Sequence, residues 1–115
     1  MMNTKHLWVL GEALMDCVMQ SDGRFIPLAG GSPYNMARAA RLRGASVRYL
    51  NPFSIDHFGH TLAAQLRADD VTLGTPDSLA PTSLAMVQIE NGQPSYSFYR
   101  EGVADRDYTV AAMEE

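Results

Sequence analysis

The stretch Gly30-Gly31-Ser32-Pro33-Tyr34-Asn35-Met36-Ala37 joins paired glycines to a Ser-Pro step, and it fixes where extended chain gives way to helix. Ser32 has the hydroxyl of a good N-cap. Pro33 suits the first helical position because its missing N–H would be unpaired there anyway. A helix is therefore expected from Pro33 to Gly44, a residue type that ends helices in the left-handed conformation. Met36, Ala37 and Ala40 fall on one apolar stripe, and Arg38, Arg41 and Arg43 read as a solvated face. The glycines admit two readings. Either they only turn the chain, or they let a ligand approach the backbone beside bare helix N–H groups and Asn35, placed at the third helical position and directed back toward the opening. The three spaced glycines of a dinucleotide fingerprint are not there.

Upstream, the nearly continuous apolar run from Leu7 to Met19, interrupted at Gly11, reads as a strand buried on both faces, as in parallel sheets. Asp16 lies inside it. A carboxylate there needs donors or a cation to offset desolvation, so it either accepts a vicinal pair of sugar hydroxyls or forms a structural ion pair with an Arg or Lys. Ser21-Asp22-Gly23 is a turn, and Arg24 to Leu28 returns as a short strand that Pro27 confines to an edge. Downstream, Val47 to Leu50 reads as a second buried strand, and Phe58, Leu62 and Leu66 mark a helix to about Ala68. This β-α-β-α order implies an α/β fold, Rossmann-like in outline, with a parallel sheet and covering helices. Ser83 to Glu90 and Ser95 to Arg100, separated by Asn91-Gly92, predict a hairpin, and with the strand near Arg24 a small separate antiparallel sheet. Thr109 to Glu115 has helical composition.

The 115 residues, 46% hydrophobic, suffice for one core, which buries roughly two thirds of the unfolded surface in a chain of that size. Nine Lys and Arg against thirteen Asp and Glu give a net charge of −4 and no basic stripe, so no nucleic-acid partner is expected. Lone Cys17 excludes a disulfide framework or a cysteine metal site and fits a reducing cytoplasm. The start is too short and too charged for a signal segment or a membrane span. His57 and His60 have no evident third metal ligand and read as solvated helix residues, so no metal site is expected.

Gly11-Glu12, Asp16 and the Gly30-to-Ala37 segment together resemble the amino-terminal signature region of PfkB-type (ribokinase-like) carbohydrate kinases. The resemblance continues through Asp56-His57-Phe58-Gly59, Pro81-Thr82-Ser83-Leu84-Ala85, Ser97-Phe98-Tyr99-Arg100 and Ala104-Asp105. Trp8 to Glu12 and Ser21 to Arg24 look most like the fructokinase branch. The resemblance implies a ribokinase-type fold with a β-sheet lid over a sugar pocket, and an ATP-dependent kinase using Mg2+. Asp16, Gly30, Gly31 and Asn35 match its substrate-binding positions, with Phe98 and Arg100 as lid residues able to close over the sugar. It further implies a possible homodimer through the lid. Residues 1–115 would form a single incomplete α/β domain, with lid strands at about 13–28 and 83–100 inserted and the carboxy-terminal ATP-binding part absent. The family's late Gly-Ala-Gly-Asp-like segment, which supplies the catalytic base, has no counterpart here, so no catalytic residue is assigned. A non-catalytic sugar-binding or dimerisation fragment is the alternative. Two departures are visible: Ser54 and Ile55 stand for a glycine and an acid, and Asp70 stands where a glycine commonly follows the second helix.

Overall fold

The computed structural model describes residues 6–108, so the chain start before His6 and the helical reading of Thr109 to Glu115 lie outside the described residues. In order, the elements are β1 (His6–Val9), β2 (Leu14–Met19), β3 (Phe25–Gly30), α1 (Ser32–Leu42), β4 (Ser46–Tyr49), α2 (His57–Ala68), β5 (Thr72–Leu73), β6 (Ser83–Glu90) and β7 (Gln93–Tyr99), followed by a 3-10 turn at Ala104–Arg106. They form two sheets. A parallel one is ordered β1-β4-β5, and the other is ordered β3-β2-β6-β7.

The run from Leu7 to Met19 is not one strand but two, in different sheets: β1 pairs with β4, whereas β2 pairs with β3 and β6. Between them the backbone donors turn to side chains. The Gly11 N–H donates to Asn51 Oδ1 at 2.6 Å and the Ala13 N–H to Asp105 Oδ2 at 3.3 Å. Nor is β1 buried on both faces, since Val9 is buried while Trp8 is 66% exposed. Continuous apolar sequence records burial but not a change of partner, which is why the break escaped notice.

The core lies between the parallel sheet and the two helices and extends onto the second sheet through Met15 and Cys17. Tyr34, Tyr49 and Phe53 meet there, Tyr49 stacked on Phe53 at 5.4 Å and Tyr34 edge-on to both at 6.3 Å. The Tyr34 hydroxyl donates to the Leu62 carbonyl at 2.8 Å, so this buried polar tip is satisfied by α2. The buried residues of α1 are Tyr34 and Ala37, with Ala40 packed against the core, while Met36 is 53% exposed. Met36 thus leaves the expected stripe and Tyr34 takes its place, since Tyr34, Ala37 and Ala40 recur every three residues and share one helix face. The helix also starts one residue earlier than expected. Gly31, not Ser32, is the N-cap, at φ 103° and without a side-chain cap, and Asn35 becomes the fourth helical residue, its N–H donating to the Gly31 carbonyl at 2.9 Å.

Both helices end in the same motif. After α1 the Gly44 N–H reaches the Arg41 carbonyl and the Ala45 N–H the Ala40 carbonyl; after α2 the Asp70 and Val71 N–H groups reach Arg67 and Leu66. Gly44 has φ 99° and Asp70 has φ 63°, so an aspartate occupies a left-handed position that glycine fills elsewhere in the chain. The arginines of α1 are less free than expected. Arg38 pairs with Asp69 at 2.5 Å and Arg41 with Asp70 at 2.9 Å, tying α1 to the end of α2.

In the second sheet the two expected antiparallel hairpins are joined by a parallel pairing of β2 with β6. Pro27 lies on the edge strand β3, where its missing N–H interrupts no inner ladder. Asn91 and Gly92 have φ 51° and 76°, as a two-residue hairpin turn of the primed type requires. In the departing loop, Ser54 is buried and its Oγ accepts the Asp56 N–H at 3.0 Å, while the Ile55 N–H donates to the Ser78 carbonyl at 3.0 Å. Those bonds order the loop without the glycine.

Candidate functional site

Asp16 projects from the middle of β2. The pairing register puts Leu28, Asp16, Ala85 and Phe98 in one row across the four strands, and residues side by side in a row share a face. Asp16 and Phe98 therefore look out from the same side, two strand spacings or roughly 10 Å apart. Ile26, Val18, Val87 and Tyr96 form the next row toward the tip, with the Tyr96 and Phe98 rings stacked at 6.0 Å. Within these two rows Asp16 is the one charged residue among apolar and aromatic side chains.

Among the described residues, the Asp16 carboxylate makes no ion pair and no hydrogen bond. The arginine alternative raised by the sequence is thus not taken up. Burial first, and then the Glu12 charge, raise the Asp16 pKa above its ordinary 3.8. The paired glycines explain how the carboxylate fits. A Cβ on Gly30 would lie 2.2 Å from Asp16 Oδ2, and one on Gly31 would lie 2.6 Å from the Glu12 carbonyl oxygen. Gly30 leaves room for the side chain and Gly31 lets two backbone segments close on each other. Asn35, on the first turn of α1, is exposed and its amide makes no hydrogen bond among the described residues.

Phe98 is 54% exposed. Arg100 follows the end of β7 on the same side, its guanidinium 4.9 Å above the Phe98 ring, and it pairs with Glu12 across the junction of the two sheets. Arg100 is therefore already engaged by the protein, which the sequence did not reveal. Glu12 also borders a cleft of about 320 Å3, lined by Gly11, Pro33, Asn51 and Asp105 among others, at the carboxyl ends of β1 and β4. Open parallel sheets bind ligands at such ends. Another surface depression, about 550 Å3, lies apart from it between Arg38, Leu42 and Asp69.

Three further residues hold this arrangement together. Asp105 is buried and accepts from the Ala13 N–H and from Ser83 Oγ at 3.2 Å, at the roots of β2 and β6, while its carbonyl takes the Asn51 amide at 2.6 Å. Desolvation raises its pKa against the opposing effect of the Ser83 and Ala13 hydrogen bonds. Asp56 caps α2 through the Gly59 N–H at 2.7 Å and also receives the Thr82 N–H and hydroxyl at 2.9 and 2.6 Å. Burial alone would raise Asp56, but the bonds from Thr82, Gly59 and Ser54 outweigh it and hold the carboxyl below its usual range. In the sequence Asp105 stands out only within the Ala104-Asp105 step of the family resemblance, and Asn51 does not stand out.

An unpartnered carboxylate, a free amide and an aromatic ring are a set that binds hydroxyl groups and the C–H face of a sugar. A nucleotide phosphate does not fit the same glycine-led helix start, because Asp16 and Glu12 flank it with negative charge. Cys17 points to the opposite side, buried, and burial followed by the Asp16 charge pushes its thiol pKa up, as in an inert cysteine. His57 and His60 are exposed on α2. No helix among the described residues is long and apolar enough to cross a membrane.

Known proteins similar to this chain include fructokinases. The fructokinase of Rhizobium leguminosarum bv. trifolii is 32% identical over 111 residues, covering 91% of this chain and 34% of its own length, and the Escherichia coli fructokinase is 31% identical over 102 residues, covering 86% and 33%. The chain spans about a third of the length of the curated relatives it matches. Among solved structures, the fructokinase from Xylella fastidiosa superposes with a TM-score of 0.86 at 31% identity over 96% of this chain and 37% of that one. A structure of fructokinase with bound ATP from the same organism gives 0.84 at 34% identity, with the same coverage. Residues 4–114 match the model of the pfkB family carbohydrate kinases, and the chain belongs to that family.

Proposed function

We propose that this chain holds the sugar in an ATP-dependent kinase that transfers a phosphoryl group to a hydroxyl of fructose or a closely related sugar. The observation that carries the reading is the Asp16 carboxylate, unpaired among the described residues and facing an open lid surface beside a glycine-led helix start. The fructokinase names of its relatives support the choice of sugar. Asp16 accepts two sugar hydroxyls, Gly30 and Gly31 leave the sugar room, Asn35 supplies a donor and an acceptor, and Phe98 covers the apolar side of the ring. Arg100 borders the sugar from the lid.

ATP and Mg2+ are assigned to residues beyond this chain, since the relatives are about three times as long. Bound ATP would supply the phosphoryl group, and the residues described here bind and orient its acceptor. The strands β2, β3, β6 and β7 act as the lid of an α/β domain that this chain builds in part. Calorimetric titration of the chain with D-fructose, D-ribose and adenosine tests the reading. Fructose binding that requires Asp16 is expected; binding of no sugar overturns it.

A second reading, compatible with the first, is homodimerisation through the lid. Ile26, Leu28, Tyr96 and Phe98 are exposed on one side of that sheet, and a twin sheet would cover them. Sedimentation velocity showing a monomer at every concentration would exclude it. A reducing cytoplasmic location is proposed from the unpaired, buried Cys17.

A further inference from the structure

We propose that Glu12 determines which sugars the site admits: by pairing with Arg100 it cancels the lid cation, leaves Asp16 as the uncompensated charge, and so favours neutral sugars over sugar acids. This inference rests on the sugar-site reading above and assigns a selectivity to it. Glu12 sits in the break between β1 and β2, its backbone carbonyl against Gly31, and its carboxylate meets Arg100 where β7 leaves the lid. Arg100 lies on the same side of the lid as Asp16 and Phe98, and its guanidinium is steadied over the Phe98 ring. An arginine held this way presents a planar fork suited to a carboxylate. Glu12 engages one arm of that fork through Arg100 Nη2. The nearby Arg106 lines the adjoining cleft, and its charge partly offsets the burial that raises the Asp105 pKa. Glu12 and Asp16 against Arg100 leave one net negative charge at the sugar side, and the effect of Glu12 on Asp16 shows that the two carboxylates sense each other.

A matched pair of ligands isolates the effect. 2-Keto-D-gluconate is D-fructose with its C1 hydroxymethyl group replaced by a carboxylate, so the two differ chiefly in charge. The dissociation constants of both are measured calorimetrically at low ionic strength for the wild type, Glu12→Gln and Arg100→Gln. The wild type is expected to prefer fructose. Glu12→Gln frees the fork and should shift the preference toward the acid on the order of tenfold, the scale of one unit charge a few ångströms away at a protein surface. Arg100→Gln leaves two carboxylates uncompensated and should shift it the other way, which keeps the proposal testable even if Glu12→Gln does not fold. A preference unchanged in a folded variant that still binds fructose overturns the role of Glu12 while leaving the sugar site standing. A wild type that binds neither sugar overturns both.

Discussion

The elevated pKa of Asp16 has a functional sign. Hydroxyl groups donate to a carboxylate better than to a carboxyl, so fructose binding should weaken on acidification, beginning above the ordinary value of 3.8. Titration from neutral pH downward checks this. Asp16→Ala is expected to weaken fructose binding roughly 10- to 100-fold, the range for hydrogen bonds to a charged group. Stability should respond in the opposite sense. A raised folded-state pKa gives a contribution present below 3.8 and lost as pH rises through the folded value, so Asp16→Asn should leave the fold at least as stable as wild type at neutral pH. Asp70 offers a second test at this scale. It holds φ 63° at the end of α2, and its pair with Arg41 is mostly solvent-exposed. Asp70→Gly relieves the backbone and forfeits little, and urea denaturation should show a gain of about 0.5–1 kcal/mol.

At the scale of elements, Asp56 joins the start of α2 to the root of β6. Asp56→Ala removes the cap and leaves the Thr82 donors unpaired, for an expected loss of about 2 kcal/mol in urea denaturation. Its depressed pKa implies stability present above 3.8 and lost as pH falls through the folded value, and acid unfolding of the variant should lack that step. The elements themselves were largely legible. Phe58, Leu62 and Leu66 marked α2 through helical spacing, Asn91-Gly92 marked the β6–β7 turn, and Pro27 marked an edge, because each feature is encoded within a few residues. The two sheets were harder to separate. Whether Leu7 to Met19 was one strand or two depended on Asn51 and Asp105, 40 and 92 residues from the donors they accept, and local patterning cannot carry such contacts. The two-residue β5 and the turn at Ala104 were too short to leave a pattern. Within the site, Asp16 and the glycines stood out as chemistry out of place, whereas the Glu12–Arg100 pair joins residues with ordinary surface character.

As a whole the molecule is long rather than round, 55 Å in its greatest extent, with a radius of gyration of 15.4 Å against about 13–14 Å for a compact domain of this length. The β3-β2-β6-β7 sheet accounts for the elongation, standing away from the helices. Hydrogen exchange should find the amides of β1, β4 and α2 more protected than those flanking Asn91, since the outer lid has little to cover it. Among the described residues the chain passes between the two sheets three times, at Leu10 to Ala13, at Gly31 and ahead of Ser83, and after Tyr99 it leaves the lid for the 3-10 turn at Ala104–Arg106. Each passage is fastened near the same place, through Asp105, Glu12 or the close approach of Gly31. The fastened roots and free tips therefore differ in what length changes they tolerate. Extra residues at Ser21-Asp22-Gly23 or Asn91-Gly92 would lengthen the lid away from the site, whereas one residue added between Leu10 and Ala13 would pull the Gly11 or Ala13 N–H from its Asn51 or Asp105 acceptor at the foot of β2. Variation in size among proteins built on this plan is thus free at one end of the lid and closed at the other.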